Sequence, residues 1–280
     1  DVYKRQVVTS AMSGVTNELI KKAEKISKNF PNSERDVLLS TGEQMASALI
    51  AGKLCDLGFN SRSWMSWQIP IITRGNYSAA RIIKIGTDQL KRYLKKGGTP
   101  IITGFQGLNK ESRLTTLERG GSDASAIMLA KFFKAKRCII YTDVDGVYTT
   151  DPNLTKKAKK IKALSYEEML EMSSLGAKVM QPASIQDAKL NKVKIDVKSS
   201  FTNKIGTQII SRKKIKDTNI IRGVSFTKND AKVSLLGVKD KPGVAAAIFE
   251  PLYKNSINVD MVVQNISSDG KETDLTFTIK

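Results

Sequence analysis

The sequence predicts an α/β protein with a mainly parallel sheet, followed by a smaller βαββ unit. Apolar runs of β type alternate with helical patterns over the first two hundred residues, which is typical of βαβ units. Residues 211–219 are polar and basic, as in a linker. The pattern then becomes β-α-β-β, the opening of a ferredoxin-like unit that lacks its last helix and strand.

Short apolar runs bounded by polar or glycine residues predict the strands of the first region. They are residues 7–9, 37–40, 100–104, 137–142 and 194–198. Helical spacing of apolar residues predicts the helices between them. They are residues 18–27, 43–57, 88–96, a helix opened by the capping box Ser165-Tyr166-Glu167-Glu168, and residues 184–191. In the second region, residues 231–238, 258–266 and 273–279 predict strands around a helix over 244–255.

The bulk composition is that of a soluble globular protein. The chain has 280 residues, of which 40% are hydrophobic and 26% charged. No apolar run is long enough to cross a membrane, no signal peptide is visible, and Cys55 and Cys138 stand in no metal or redox spacing. We therefore expect a cytoplasmic protein, with no membrane partner and with Cys138 as a buried free thiol.

The chain contains no histidine, which excludes Ser-His-Asp and Cys-His catalysis and histidine-ligated zinc. Its net charge of +19 has two interpretations: nucleic-acid binding, or lysines spread over solvated faces. Two basic tracts, residues 156–160 and 212–216, carry no interleaved aromatic residues for base stacking. We therefore expect no nucleic-acid partner.

The sequence Arg119-Gly120-Gly121-Ser122-Asp123 precedes an apolar helical stretch. Two glycines allow a tight turn and close approach to a ligand, and Ser122 can cap the helix. Free N–H groups at a helix start favour an anion, and Arg119 adds a planar fork for carboxylate or phosphate. Asp123 could simply favour the helix dipole, or orient phosphate-binding groups or a metal. A plain helix-start loop is the alternative for the whole segment.

A second motif, YTDVDGVYTTDP over residues 141–152, follows a predicted strand. Strand ends in α/β sheets are where ligands bind, and this one offers a hydroxyl, acids, a glycine turn and an aromatic ring. A plain Asp/Gly-rich loop is the alternative; the ligand series of an EF-hand calcium loop is absent. Two smaller motifs are Ser10 to Thr16, a small-residue turn, and Ser40-Thr41-Gly42-Glu43, predicted at a strand-to-helix junction.

In their order and spacing, these motifs resemble the bacterial aspartate kinases from about Val7 to Lys280. The matching segments also include GFQG at 104–107, T-L-x-RGGSD at 116–123, LSYEEMLE at 164–171, GAK at 176–178 and SS-F-x-N-x-x-GT at 199–207. The resemblance implies the amino-acid-kinase fold, a three-layer α/β/α sandwich, followed by a partial ACT domain. It places the catalytic domain at 1–211, a linker at 212–222 and an incomplete first ACT domain at 223–280.

The resemblance also implies a role for each matched residue. Asp123 would be the catalytic-site acid. The residues that would bind L-aspartate are Ser10, Thr16, Glu43, Arg119, Gly120, Gly121 and Ser122. Those that would bind ATP are Thr142, Asp143, Tyr148, Asp151, Pro152 and Lys178. Mg²⁺ would be held through the nucleotide phosphates, with no protein ligands predicted for it.

The ACT resemblance implies a surface that binds a feedback inhibitor, lysine or threonine, and an oligomer assembled through ACT domains. The effector residues would be Asp240, Lys241, Pro242, Gly243, Val244, Ala245, Asn258, Val259, Asp260 and Gln264. A simple Pro-Gly turn is the alternative for residues 241–243.

The sequence departs from the family pattern in two places. The family begins with a strand and a Lys-x-Gly-Gly loop that grips the ATP phosphates, and residues before Val7 do not contain it. Asn153 stands where family members often carry arginine after Asp-Pro. The chain as given is therefore expected to be a weak or inactive kinase.

Three other functions stay open. The first is a sister kinase of the same fold, acting on acetylglutamate, a uridine nucleotide or carbamate, because fold alone does not determine function. The second is a non-catalytic, amino-acid-sensing ACT subunit of an aspartate kinase. The third is a basic nucleic-acid-binding module, for which salt-sensitive binding would be the signature.

Overall fold

This computed structural model describes residues 5–118, 120–177, 179–215, 221–226, 230–239, 241–255, 257, 259–266 and 272–279. The chain divides into two units, Asp1–Ser225 and Phe226–Lys280. The predicted linker, residues 212–222, begins with a short 3₁₀ helix, Arg212–Lys214. Residues 216–220 of that linker lie outside the described residues.

The first unit alternates strands and helices along most of its length. Its strands are β1 (Val7–Thr9), β2 (Ser61–Trp64), β3 (Ile71–Arg74), β4 (Arg81–Ile85), β5 (Thr99–Thr103), β6 (Gln106–Leu108), β7 (Leu114–Thr116), β8 (Cys138–Thr142), β9 (Ala163–Ser165), β10 (Ile195–Ser199) and β11 (Thr207–Ile210). Its α-helices are α1 (Val15–Ile26), α2 (Asn32–Asp56), α3 (Asp88–Lys95), α4 (Gly121–Phe132), α5 (Tyr166–Ser174) and α6 (Pro182–Asn191).

Parallel pairing dominates the two sheets that carry the predicted site. One sheet has the order β1-β5-β2, with both pairs parallel. The other has the order β8-β10-β11-β9, in which only the pair of β10 with β11 is antiparallel. A third sheet, β4-β3-β6-β7, is mostly antiparallel. The α/β class is confirmed, and the motifs follow the carboxyl ends of β1, β5, β8 and β10, as expected for a ligand site.

Helix α4 lies between two hydrophobic cores. Ile127 and Ala130 pack into a core with β8 to β11, α5 and α6, while Met128 and Leu129 pack into a core with β2, β3, β4 and α3. A helix that is apolar on all sides is buried in this way. The two cores therefore fix the body of α4, whose first turn carries the Gly-Gly-Ser-Asp motif.

The predicted strand over residues 37–40 is wrong, because these residues lie inside α2, a continuous helix of 25 residues. An apolar run of three residues does not distinguish a strand from a buried helical face. Within α2, Leu39 and Ser40 are buried whereas Val37 is exposed, which is a helical pattern. Glu43 consequently lies in the middle of a helix rather than at its start.

The second unit contains β12 (Ala231–Lys239), α7 (Val244–Lys254), β13 (Val259–Ile266) and β14 (Glu272–Ile279). Its sheet has the antiparallel order β12-β14-β13, which confirms the predicted βαββ pattern. Leu275 and Phe277 of β14 are buried, and Phe277 meets Phe249 of α7 edge to face. Across both units, no helix among the described residues has the length and apolarity of a membrane span.

Candidate active site

Glu43 is the most buried acid of the predicted site, with a relative exposure of 3%. Its Oε1 accepts a hydrogen bond of 3.0 Å from the backbone N–H of Ala11, in the loop that follows β1. Its Oε2 is also buried, with no hydrogen-bond partner among the described residues. Burial raises the pKa of Glu43 to about 7, against the opposing effect of the Ala11 hydrogen bond. The β1 loop and α2 therefore enclose a carboxylate that has one oxygen unpaired within the described part of the chain.

Close backbone approach at Gly104 brings the ends of β1 and β5 together with the start of α4. Gly104 donates its N–H to the carbonyl oxygen of Thr9 at 3.1 Å. A Cβ at this position would lie 2.7 Å from that oxygen and 3.0 Å from Cβ of Ser122. Only glycine fits there, and the loop that begins at Ser10 and the first turn of α4 consequently lie side by side. Thr16 is half-buried in the first turn of α1, at the far end of the same loop.

The Gly120-Gly121 turn is also packed too tightly for a side chain. Gly120 has a left-handed φ of 76°, and a Cβ there would clash with the side chain of Gln181. A Cβ on Gly121 would lie 2.7 Å from side-chain atoms of both Leu117 and Phe105. Gly120 is the N-cap of α4 and no side chain caps the helix, so the prediction that Ser122 caps it is wrong. No side chain among the described residues caps the N–H groups of the first turn, which suits the binding of an anionic ligand there.

Asp123 is half-buried in the first turn of α4. Burial alone raises its pKa to about 6. Burial, with smaller contributions from the charges of Asp123 and Asp196, raises the pKa of the Cys138 thiol to about 12. Cys138 is the buried free thiol that the sequence predicted. Asp123 remains mostly ionised at neutral pH.

The predicted ATP residues lie along the loop after β8, and they are more exposed. Thr142 Oγ1 donates to Oδ1 of Asp143 at 2.9 Å, and the Tyr148 hydroxyl donates to Oδ1 of Asp145 at 2.7 Å. The hydrogen bond from Tyr148 is the main cause that lowers the pKa of Asp145, and the same bond raises the pKa of Tyr148. Further along this loop, exposed Asp151 accepts from the N–H of Asn153 at 2.8 Å, beside Pro152.

Two lysines complete the surroundings of Asp145. Lys160 Nζ lies 3.3 Å and Lys204 Nζ 3.7 Å from its Oδ2. Lys204 belongs to the loop after β10, so this ion pair joins the two loops.

A polar cavity of about 240 Å³ lies where these loops meet. Its lining is Tyr141, Lys198, Ser199, Ser200, Phe201, Thr202, Asn203 and Lys204. Ser200 donates its N–H to the carbonyl of Thr142 at 2.8 Å, and the ring of Phe201 is 79% exposed. Sequence reasoning assigned no role to these residues, although the SS-F-x-N motif and its position after a parallel strand were visible signals.

A larger open cleft, of about 510 Å³, is lined by Ser78, Glu118, Gln181, Pro182 and Ala183. It lies beside the Gly120 turn, because Gln181 packs against Gly120 and Ser184 Oγ donates to the carbonyl of Gly120 at 3.2 Å. Arg119 and Lys178, the two predicted cationic ligands of the site, lie outside the described residues.

The predicted effector residues belong to the second unit. Lys241 and Pro242 are exposed in the turn after β12, Gly243 is the N-cap of α7 with φ 92°, and Val244 and Ala245 follow in its first turn. Val259 and Gln264 lie on β13, and Gln264 Nε2 is 3.4 Å from the Thr273 hydroxyl on β14. Asp240, Asn258 and the side chain of Asp260 lie outside the described residues.

Comparison with known proteins relates both units to described families. The amino acid kinase family matches residues 2–199, and an ACT domain family matches residues 233–280. The aspartokinase of Helicobacter pylori strain J99 is 45% identical over 277 residues, which cover 98% of this chain and 68% of that relative.

Solved structures give the same relationship. E. coli aspartokinase III in complex with aspartate and ADP matches with a TM-score of 0.81 and 26% identity, covering 99% of this chain and 72% of that one. The complex of the same enzyme with lysine and aspartate matches with a TM-score of 0.82, at the same identity and coverage.

Proposed function

Because the chain belongs to the amino acid kinase family, and within it to the aspartokinases, we propose that it transfers the γ-phosphoryl group of ATP to the β-carboxylate of L-aspartate. The reaction would be the first step towards lysine, threonine and methionine, carried out in the cytoplasm. The chain spans about two thirds of the length of the H. pylori relative, and the proposal concerns the whole gene product.

The buried Oε2 of Glu43, which has no hydrogen-bond partner among the residues that the structure describes, is the observation that carries this proposal. A buried carboxylate oxygen with no partner costs free energy unless a ligand supplies a donor. The α-ammonium group of an amino acid is a cationic donor of suitable size, and its charge would return the pKa of Glu43 towards the ordinary value. A nucleotide or carbamate acceptor has no such ammonium group. Glu43 therefore favours an amino acid as the acceptor.

The start of α4 would receive the carboxylate and phosphoryl charges. Free N–H groups at a helix N-terminus stabilise anions, and the glycine turn lets a ligand approach the backbone closely. The attacking β-carboxylate is already ionised at neutral pH and needs no general base. Asp123, mostly ionised at neutral pH, would instead orient the cationic groups that surround the transferring phosphoryl group.

The loops after β8 and β10 would bind the nucleotide. Thr142, Asp143 and Tyr148 lie on the first of these loops, next to the polar cavity of about 240 Å³. Among the described residues, no cluster of three or more acidic, cysteine or histidine side chains could enclose a metal ion. A Mg²⁺ ion that keeps most of its ligands on nucleotide phosphates and water needs no such enclosure, and it would neutralise phosphate charge when bound.

The second unit would regulate the enzyme by binding lysine or threonine. Its ACT fold and the solved lysine complex of E. coli aspartokinase III support this proposal. The exposed turn at Lys241 and Pro242, with Val259 and Gln264 on β13, would form part of the effector surface. Assembly through ACT domains, with like or unlike subunits, is part of the same proposal.

The test is ADP release from Mg-ATP by the full-length gene product, with L-aspartate, acetylglutamate and UMP as alternative acceptors. We expect turnover with aspartate alone. Asp123→Ala and Arg119→Ala should abolish it while the circular dichroism spectrum and melting temperature show a folded protein. A folded full-length protein without aspartate-dependent turnover would refute the proposal and favour the amino-acid-sensing subunit.

A further inference from the structure

Asp36 is a fully buried acid that none of the predicted roles uses. Its relative exposure is 0%, and both carboxylate oxygens are satisfied. Oδ2 accepts from the backbone N–H groups of Ser78 at 2.9 Å and Thr116 at 2.7 Å. Oδ1 accepts from the hydroxyl groups of the same two residues, at 2.7 and 2.8 Å. One side chain of α2 thus holds two segments that lie 42 and 80 residues away in the sequence.

Both segments lead into the proposed acceptor site. Thr116 is the last residue of β7, and Leu117 after it donates its N–H to Phe105 at 2.9 Å and packs against Gly121. Leu117 therefore connects Thr116, which is bonded to Asp36, with the start of α4 by direct packing. Ser78, which lines the cleft beside Gly120, has a left-handed φ of 64°, a conformation that is unfavourable for serine without such support.

Asp36 and Glu43 occupy the same face of one helix. They are seven residues apart, about two turns of α-helix, and both are buried. Between them, the carbonyl of Ser40 accepts from the buried side chain of Gln106 at 3.1 Å, so the same face also holds the start of β6. Helix α2 thus carries both Glu43, which would bind the ammonium group, and Asp36, which holds Thr116 and Ser78 on the other side of the proposed site.

We propose that Asp36 is a positioning residue for the acceptor amino acid: it holds Thr116 and Leu117, which pack against the start of α4, at a set distance from Glu43. This inference rests on the proposed function. The carboxyl groups of the acceptor would bind at the start of α4 and its ammonium group at Glu43. A small displacement of the start of α4 relative to Glu43 would therefore weaken the carboxylate contacts and the ammonium contact together.

The discriminating variants are Thr116→Val and its matched control, Thr115→Val. Thr116→Val removes the hydroxyl that donates to Asp36 and retains the side-chain shape. Thr115 is the preceding residue of β7, 1% exposed, and its hydroxyl bonds to Thr73 at 2.6 Å rather than to Asp36. Both variants remove one buried hydroxyl from the same strand, so a merely structural effect would be shared by the two.

We expect Thr116→Val to raise the KM for aspartate roughly tenfold, as expected for a lost hydrogen bond to a charged group. The KM for ATP should change by less than about twofold, since the nucleotide loops do not contact Asp36. Thr115→Val should lower the melting temperature by about as much as Thr116→Val does. It should leave the KM for aspartate unchanged. Ser78→Ala should behave like Thr116→Val. Asp36→Asn should have the largest effect of the series, provided that it folds.

Equal KM changes in Thr116→Val and Thr115→Val, or none in either, would overturn the proposal. Hydrogen exchange of Leu117, Glu118 and residues 120–122 provides a readout without turnover, and it should accelerate in Thr116→Val but not in Thr115→Val. Absence of aspartate turnover in the wild type would refute the proposed function and this ligand together. In that case the hydrogen-exchange rates would still decide whether Asp36 restrains the residues that follow β7.

Discussion

The acceptor side and the nucleotide side of the proposed site use carboxylates in opposite ways. On the acceptor side, Glu43 and Asp123 are removed from water without cationic partners among the described residues, and burial raises the pKa of both. On the nucleotide side, Asp145 lies among Tyr148, Lys160 and Lys204, and these neighbours lower its pKa. A small amino acid must be enclosed to be recognised, and enclosure desolvates the groups that bind it. A nucleotide can be held by more exposed loops.

Among the variants that distinguish the acceptor side from the nucleotide side, Glu43→Gln should have the largest effect on the kinetics. Removing the buried negative charge should lower kcat/KM for aspartate by roughly 100-fold or more, because the ammonium group would lose its ionic partner. The KM for ATP should change little. Steady-state kinetics with each substrate varied in turn would measure both. Loss of affinity for ATP and aspartate by equal factors would contradict the division of the site into two sides.

The same substitution should alter the pH dependence of stability. The folded-state pKa of Glu43, about 7, is above its ordinary value of 4.5. Wild-type stability should therefore fall as pH rises from about 4.5 to about 7, by up to about 3 kcal/mol from this residue. Glu43→Gln cannot ionise and should lack this fall. Urea unfolding at pH 5 and pH 8 for both proteins measures the difference, in which the contribution of Asp123 cancels. Parallel pH profiles would exclude a raised pKa at Glu43.

The KM for aspartate should depend on pH more strongly than the KM for ATP. Glu43 must be ionised to receive an ammonium group, so the KM for aspartate should rise by up to about tenfold per unit as pH falls below about 7. Protonation of Asp123 should in addition lower kcat below about pH 6. A pH series from 5.5 to 8.5 tests both. Identical pH profiles for the two KM values would show that Glu43 does not receive the ammonium group.

Tyr148→Phe should change only the nucleotide side, and more weakly. It removes the hydrogen bond to Asp145, whose pKa should then rise towards its ordinary value. A hydrogen bond from a neutral hydroxyl to a solvent-accessible carboxylate contributes about 1 kcal/mol to the order of this loop. Because the loop would bind the nucleotide, the KM for ATP should rise roughly fivefold when the bond is lost. The KM for aspartate should be unchanged. Tyr93→Phe, which removes a hydroxyl bonded to Asn60 outside both sides of the site, is a suitable control.

Glu34→Gln should have the smallest effect. Glu34 lies in α2, two residues before buried Asp36. It forms an exposed ion pair with Arg113. Exposed pairs of this kind contribute about 0–1 kcal/mol, and we expect no change in either KM. Thermal unfolding and the aspartate assay would show it. A kinetic effect as large as that of Thr116→Val would mean that general stability of α2, rather than the Asp36 contacts, controls aspartate binding.

Local patterns were sufficient to predict much of the fold. The strands that became β5, β8 and β10 are short apolar runs, and Ser165 and Glu168 form the predicted capping box in α5. The Gly120-Gly121 turn was also predicted, because a pair of glycines allows a tight turn and close backbone approach. These features depend on residues that are neighbours in the chain.

Features that depend on distant residues were not predicted. The continuity of α2 depends on packing of its Leu39 face, and the short strands β2, β3, β4, β6 and β7 depend on pairing. Ser122 does not cap α4 because the left-handed turn at Gly120, which packs against Gln181, takes the N-cap position. The bonds of Asp36 reach 42 and 80 residues along the chain, beyond any local signal.

The continuous helix α2 also constrains which insertions and deletions the protein can accept. One residue added or removed between Asp36 and Glu43 would rotate them by about 100° and shift them by about 1.5 Å relative to each other. Either the anchor of β7 or the ammonium acceptor would then face away from the site. Substitutions at the exposed positions Val37 and Thr41 leave this spacing intact. The length of this segment is therefore expected to be more constant than its composition.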